Sequence, residues 1–205
     1  MITRGLAALA LAPLLLASCS SGTSTPTPDV AASAPLPGVT LPPDALTALV
    51  PTPADVPAGM VPLLTGSGVR TLAAVAAYSG TGDAATKAAA KLTQHGFTKA
   101  YVAQYANQAT AQSVTVLVSE FATAAGAKAD LTDDLSGSSG KTVAGAVIGE
   151  QSQVTIQDVA SIAGQLVLAR FRDGAHTWLL SYTASPTADP SLAFTLAKTL
   201  VARAS

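Results

Sequence analysis

Cysteine, histidine, charge and long apolar runs are all scarce in this chain, and each scarcity closes a class of function. One cysteine among 205 residues excludes an internal disulfide. Charged residues make up 11%, with 11 basic against 12 acidic side chains, so there is no basic patch for nucleic acid and no polybasic run for anionic lipid. A mean hydropathy of +0.42 looks membrane-like, but alanine inflates it. Beyond the N-terminal segment no stretch approaches the ~18–20 apolar residues a spanning helix requires. Aromatics are only 4% of the chain, and all lie between Tyr78 and Phe194. Because aromatics supply much of a core's buried area, the folded part is expected there. Proline runs the other way, with ten of its 13 residues between Pro26 and Pro62. From Val56 to Ser205 there is room for one ordinary domain.

The single cysteine has a reason for its position. Met1-Ile2-Thr3-Arg4 is a short positive start, and Gly5 to Leu16 is an apolar run too short to span and stay. Leu16-Ala17-Ser18-Cys19 matches the bacterial lipobox: an aliphatic residue, two small residues that fit the peptidase groove, and a thiol that accepts the lipid. Residues 1–18 are therefore expected to be a lipoprotein signal peptide, and Cys19 the site of lipid attachment. Each buried methylene of such an anchor contributes about 0.8 kcal/mol, and two or three chains hold stably where one does not. The expected address is the extracytoplasmic face of the cell membrane. Residues 19–43, rich in Ser, Thr and Pro, read as a tether that cannot bury a core and stays extended. The remaining 44–205 read as a single α+β domain.

Within that domain, Pro42-Pro43-Asp44 leads into a short helix, Ala45–Val50, stopped by Pro51. Asp83 introduces a helix over Ala84–His95, with Gly96 just beyond its end. Phe97–Tyr105 fits a helix or a strand, with Phe97, Tyr101 and Tyr105 on one face. Ser113–Phe121 alternates as a strand, Ala122–Leu135 is helical, and Val143–Ile148 and Val154–Val159 are expected short strands. Gly164–Arg172 and Ala175–Thr183 make a hairpin about Asp173-Gly174. A last helix opens near Asp189-Pro190, with Leu192, Leu196 and Leu200 as its buried stripe. The hairpin face carrying Trp178, Leu180 and Tyr182 is expected to lie under that helix. Two strands and a helix over 97–135 are echoed by the same order over 164–203. The expected architecture is an antiparallel sheet with helices mainly on one face.

Three stretches carry a resemblance: Leu46–Met60 with its Asp55-Val56-Pro57-Ala58-Gly59, Gly149-Glu150-Gln151-Ser152, and Val167–Thr183 around Phe171-Arg172-Asp173-Gly174. They resemble secreted actinobacterial lipoproteins with extracytoplasmic domains of unknown role. The sheet followed by a terminal helix is also similar to the Mog1/PsbP-like fold. The resemblance implies a fold and an address, and no catalytic residue.

Several constellations fall short of a chemistry. Gly137-Ser138-Ser139-Gly140-Lys141-Thr142 ends like a phosphate loop but has Leu135 where the first glycine belongs. Ser138 and Lys141 have Ser-x-x-Lys spacing without its companion motifs. Asp130, Asp133 and Asp134 do not fit a calcium loop and read as a solvated helical face. His95 suits a helix C-terminus, and His176 lies on the hairpin near Trp178. Arg170 and Arg172 alternate to one strand face, read as an exposed one. Ala85, Ala89 and Ala125 could line a cavity of at least ~300 Å³ or simply let helices pack closely. The leading expectation is a non-enzymatic envelope lipoprotein that binds a protein or cell-wall partner, with no cofactor, metal or nucleic acid. The alternatives are a carrier or sensor of a small apolar molecule and, third, an enzyme.

Overall fold

The computed structural model describes residues 40–204. The signal segment, Cys19 and all but the last residues of the tether lie outside them. Among the described residues, one antiparallel sheet holds β1 (Val61–Pro62), β2 (Gly68–Arg70), β3 (Phe97–Asn107), β4 (Gln112–Phe121), β5 (Lys141–Thr142), β6 (Gln151–Val159), β7 (Gly164–Asp173) and β8 (His176–Ala184). Its order is β1-β3-β4-β8-β7-β6-β5, with β2 also paired to β3. The helices are α1 (Leu72–Ala76), α2 (Asp83–Gln94), α3 (Ala124–Ser136) and α4 (Pro190–Ala204). The expected α+β architecture is what forms.

Register explains why the two faces differ. Tyr101 pairs with Val118, Val118 with Trp178, and Trp178 with Phe171, while one step along Ala103, Val116, Leu180 and Ala169 run in parallel. These rows are fully buried and share a core with Leu196 and Leu200 of α4. The opposite face shows Ser119, Thr177 and Arg172, then Leu117, Leu179 and Arg170. Because strand side chains alternate with period two, one set of strands supplies an apolar row and a mixed one. Helices α1, α2 and α3 share the mixed side, where Val75, Ala76, Leu92, Ala127 and Phe121 form a smaller cluster.

The apolar face is also closed by the stretch before β1. Asp44 caps a 3-10 turn, Ala45–Leu49, through its side chain to Leu46 N. Proline leaves this stretch poor in N–H groups, so it cannot join the sheet as a strand. Its carbonyls are used instead: Tyr101 Oη donates to Pro42 O at 2.7 Å, Tyr105 Oη to Pro51 O at 2.5 Å, and Trp178 Nε1 to Leu49 O at 2.9 Å. Arg203 of α4 donates to Val50 O and grips both Asp55 oxygens at 2.8 Å.

Several expectations shift in detail. Phe97 leaves the Tyr101 and Tyr105 face because a bulge lies between Phe97 and Lys99, and it packs edge-on against Phe121, centroids 6.0 Å apart. Residues 143–148 are not a strand; the strand there is only Lys141–Thr142, the chain touches the sheet again in an isolated bridge between Gly149 and Arg172, and Ile148 is buried in the main core. The Val154–Val159 strand starts earlier, at Gln151. The hairpin turn sits one residue later than Asp-Gly suggests, since Asp173 pairs with His176 and leaves Gly174-Ala175 as the central residues. Gly174 alone takes positive φ, 53°, which suits a turn needing it at the first central position. The echo holds for the sheet, where hairpins β3–β4 and β7–β8 meet along β4 and β8. The order of two strands and a helix also repeats, although α3 and α4 cover opposite faces.

A charged cleft between two helices and the sheet

On the mixed face, α2 and α3 stand apart over the sheet and leave a cleft of about 410 Å³. Its floor is Leu117 and Ser119 of β4, Thr177 and Leu179 of β8, and Arg170 of β7. One wall carries Val75, Tyr78, Ala88, Lys91 and His95, and the other Asp130, Leu131, Asp133 and Asp134. Helical spacing makes this possible: Lys91 and His95 are four apart, and Asp130, Asp133 and Asp134 are three and four apart, so each set shares a face. Thr123 caps α3 through its hydroxyl to Gly126 N. Gly126 is needed for closeness, since a Cβ there would lie 2.0 Å from the His95 carbonyl oxygen. This contact joins the end of α2 to the start of α3 and fixes the cleft's closed end.

The walls are linked by charge. Lys91 Nζ meets Asp133 Oδ2 at 2.7 Å at the exposed mouth. His95, 11% exposed, stands 3.8 Å from Asp130 and 3.9 Å from Asp133, outside hydrogen-bond length. Its Nδ1 is buried without a hydrogen-bond partner among the described residues. Arg170 is 5% exposed, with Nε 2.9 Å from Asp134 Oδ2. That contact is an ion pair by distance but misses the N–H direction, so neither Nε nor Nη1 has a hydrogen-bond acceptor. Its neighbour Arg172 pairs with Glu150 and Gln151.

Desolvation shapes the carboxylates. Burial, reinforced by the Asp134 charge, pushes Asp130 up to about 6 against the pull of His95. Burial also raises Asp134, with Arg170 pulling the other way, although half of its side chain still meets solvent. The hydrogen bond from Lys91 holds Asp133 below the usual carboxylate range.

These findings revise some expectations and leave others standing. Of the three aspartates, Asp133 and Asp134 keep the solvated character expected of them, 43% and 51% exposed, and only Asp130 is largely withdrawn from solvent into the cleft wall. Arg170 and Arg172 are buried under α3 and the 143–150 loop, not exposed. Small-residue lining comes from Ala88 rather than Ala85, Ala89 or Ala125. His176 lies on the hairpin near Trp178 as expected, the rings 5.8 Å apart, and does not line the cleft. Lys91, Ser119, Tyr78 and Thr177 were not anticipated. The i, i+4 pairing of Lys91 with His95 was a usable signal, but only the tertiary fold opposes it to α3. Ser138 donates to Leu135 O and to Gln153 Oε1 at 2.7 Å, and Lys141 is exposed in β5. That loop gathers no phosphate site. Among the described residues no group of three or more His, Cys, Asp or Glu could hold a metal ion, and no helix is long and apolar enough to cross a membrane.

No family model matches the chain, and no curated protein does. A solved structure that does match is the extracellular domain of PknH from Mycobacterium tuberculosis. The match has a TM-score of 0.49 and 14% identity, covering 77% of this chain and 93% of that one. At that similarity no residue role passes from one to the other.

Proposed function

We propose that this chain is a lipid-anchored binding module of the bacterial cell envelope, non-enzymatic, held outside the membrane through Cys19 and taking its ligand in the cleft between α2 and α3. The observation that carries the cleft is Arg170: a permanent cation on a sheet floor, nearly closed from water, with hydrogen-bond donors left over. Buried donors without partners are costly, and proteins keep such groups where something else completes them. The lipobox carries the address, and the Ser/Thr/Pro tether supplies the reach from lipid to domain.

Two observations weigh against the rival readings. A carrier of an apolar molecule needs an apolar enclosure, whereas this cleft is open and charged on both walls. Catalysis by a triad needs a histidine within hydrogen-bond reach of carboxylate and nucleophile, and the carboxylates stand 3.8 and 3.9 Å from His95.

Two experiments test the proposal. Cys19→Ala should leave the protein in the aqueous phase of a detergent partition, and a variant as membrane-bound as wild type refutes the anchor. Hydrogen exchange of the full chain with soluble envelope extract should slow amides at 91–95, 130–137 and 177–179. Protection confined to the β5 and β6 edge would refute the cleft as the binding site.

A further inference from the structure

The cleft has two unmet needs of opposite sign. Arg170 cannot lose its charge, and its Nε and Nη1 have no acceptor although Asp134 lies 2.9 Å away. One turn of α3 before Asp134, the Asp130 carboxylate is three-quarters buried, and His95 Nδ1 stands 3.8 Å from it, beyond hydrogen-bond length. Asp133 is already engaged by Lys91 at 2.7 Å and asks for nothing more.

A simple anion drawn to Arg170 would be repelled by Asp130 and Asp134. A simple cation drawn to Asp130 would be repelled by Arg170. At short range and low polarity each like-charge contact costs several kcal/mol. A molecule carrying both signs escapes both penalties. Between the charged groups the surface is largely apolar, with Leu117 and Leu179 beside the small hydroxyl residues Ser119 and Thr177 on the floor and Leu131 on the α3 wall. The volume of about 410 Å³ is near the lower end for small-molecule sites.

Resting on the cleft as the binding site, we propose that its ligand is a compact zwitterion, an amino acid or dipeptide with small apolar side chains. Its carboxylate completes Arg170, and its ammonium completes Asp130.

The test uses the full chain and three probes: alanyl-alanine, its N-acetyl form and its C-terminal amide, with binding followed by calorimetry and by NMR of the His95 ring and Arg170 Nε. The zwitterion should bind, and blocking either end should weaken binding about tenfold or more. Asp130→Asn should erase the preference for the free amine, and Arg170→Lys the preference for the free carboxylate. Lysine keeps the charge, so that variant can fold where alanine would not, and circular dichroism verifies it. If the blocked forms bind as well as the free dipeptide, or the two variants leave both preferences intact, the zwitterion is wrong while the cleft stands. If none of the three probes shifts the His95 or Arg170 signals at about 10 mM, a concentration that registers even millimolar affinity, the zwitterion is again wrong. The exchange experiment with envelope extract then decides the cleft separately.

Discussion

The two faces of this sheet share every strand and meet opposite fates. Under α4 and the proline-rich stretch, large side chains fill the space, and three of their polar groups find carbonyl partners: Trp178 Nε1 on Leu49 O, Tyr101 Oη on Pro42 O and Tyr105 Oη on Pro51 O. Under α2 and α3 the same strands present Ser119, Thr177 and Arg170, and donors remain unused. One face is finished as a core and the other is left incomplete. In a small domain that asymmetry makes the finished side the source of stability, since buried groups without partners lower it, and under the reading proposed above it leaves the other side for recognition.

The largest effect that could break this comparison is at Trp178. It is 1% exposed, stacked on Phe171 with centroids 5.2 Å apart. Trp178→Ala should cost about 3–5 kcal/mol, measured by denaturant unfolding, a large share of a typical 5–15 kcal/mol. Wild-type emission should be blue-shifted and poorly quenched by iodide. Red-shifted, readily quenched emission with an unchanged midpoint would place Trp178 on the recognition side instead.

Asp130 gives the next effect, with the opposite sign. Its folded value of about 6 stands above the ~3.9 of an unfolded aspartate. The folded state therefore binds the proton more tightly, and stability declines as pH rises from about 4 to 6, staying lower above that. Asp130→Asn removes the penalty and should stabilise the protein by about 2 kcal/mol at pH 7. The gain should vanish near pH 4. A loss of stability at pH 7 would mean that Asp130 belongs to the structural side.

The smallest effect sharpens the boundary between the two. Lys91 and Asp133 are 57% and 43% exposed, and exposed pairs contribute about 0–1 kcal/mol. Lys91→Ala should leave the thermal midpoint within a few degrees, with the difference fading in high salt. A loss comparable to that at Trp178 would make the pair a structural strut across the cleft.

Much of the fold was legible because its signals are local. The alternation in Ser113–Phe121 and across Gly164–Thr183, the Ala-rich run after Asp83 and the Leu192–Leu196–Leu200 stripe each depend on neighbours a few residues apart. Where neighbours are distant, reading failed. Val143–Ile148 has strand composition, yet it runs as a loop with Gly145 under the Phe194 ring. Arg170 and Arg172 alternate like an outward face, and only distant partners, Asp134 of α3 for Arg170 and Glu150 for Arg172, cover them.

By itself the sequence determined that β7 and β8 form a hairpin, where α2, α3 and α4 lie, and which face of β8 is core; the lipobox of Cys19 is read from the sequence alone. Those follow from periodicity, turn chemistry and short motifs, all contained in a few consecutive residues. Tertiary structure alone decided which sheet face each helix covers, and so whether an aspartate is solvated or buried. His95 and Asp130 are 35 positions apart and Asp134 and Arg170 are 36, and no short-range pattern links them. The cleft exists because α3 crosses to the face that α4 does not take, a choice set by how the whole sheet packs.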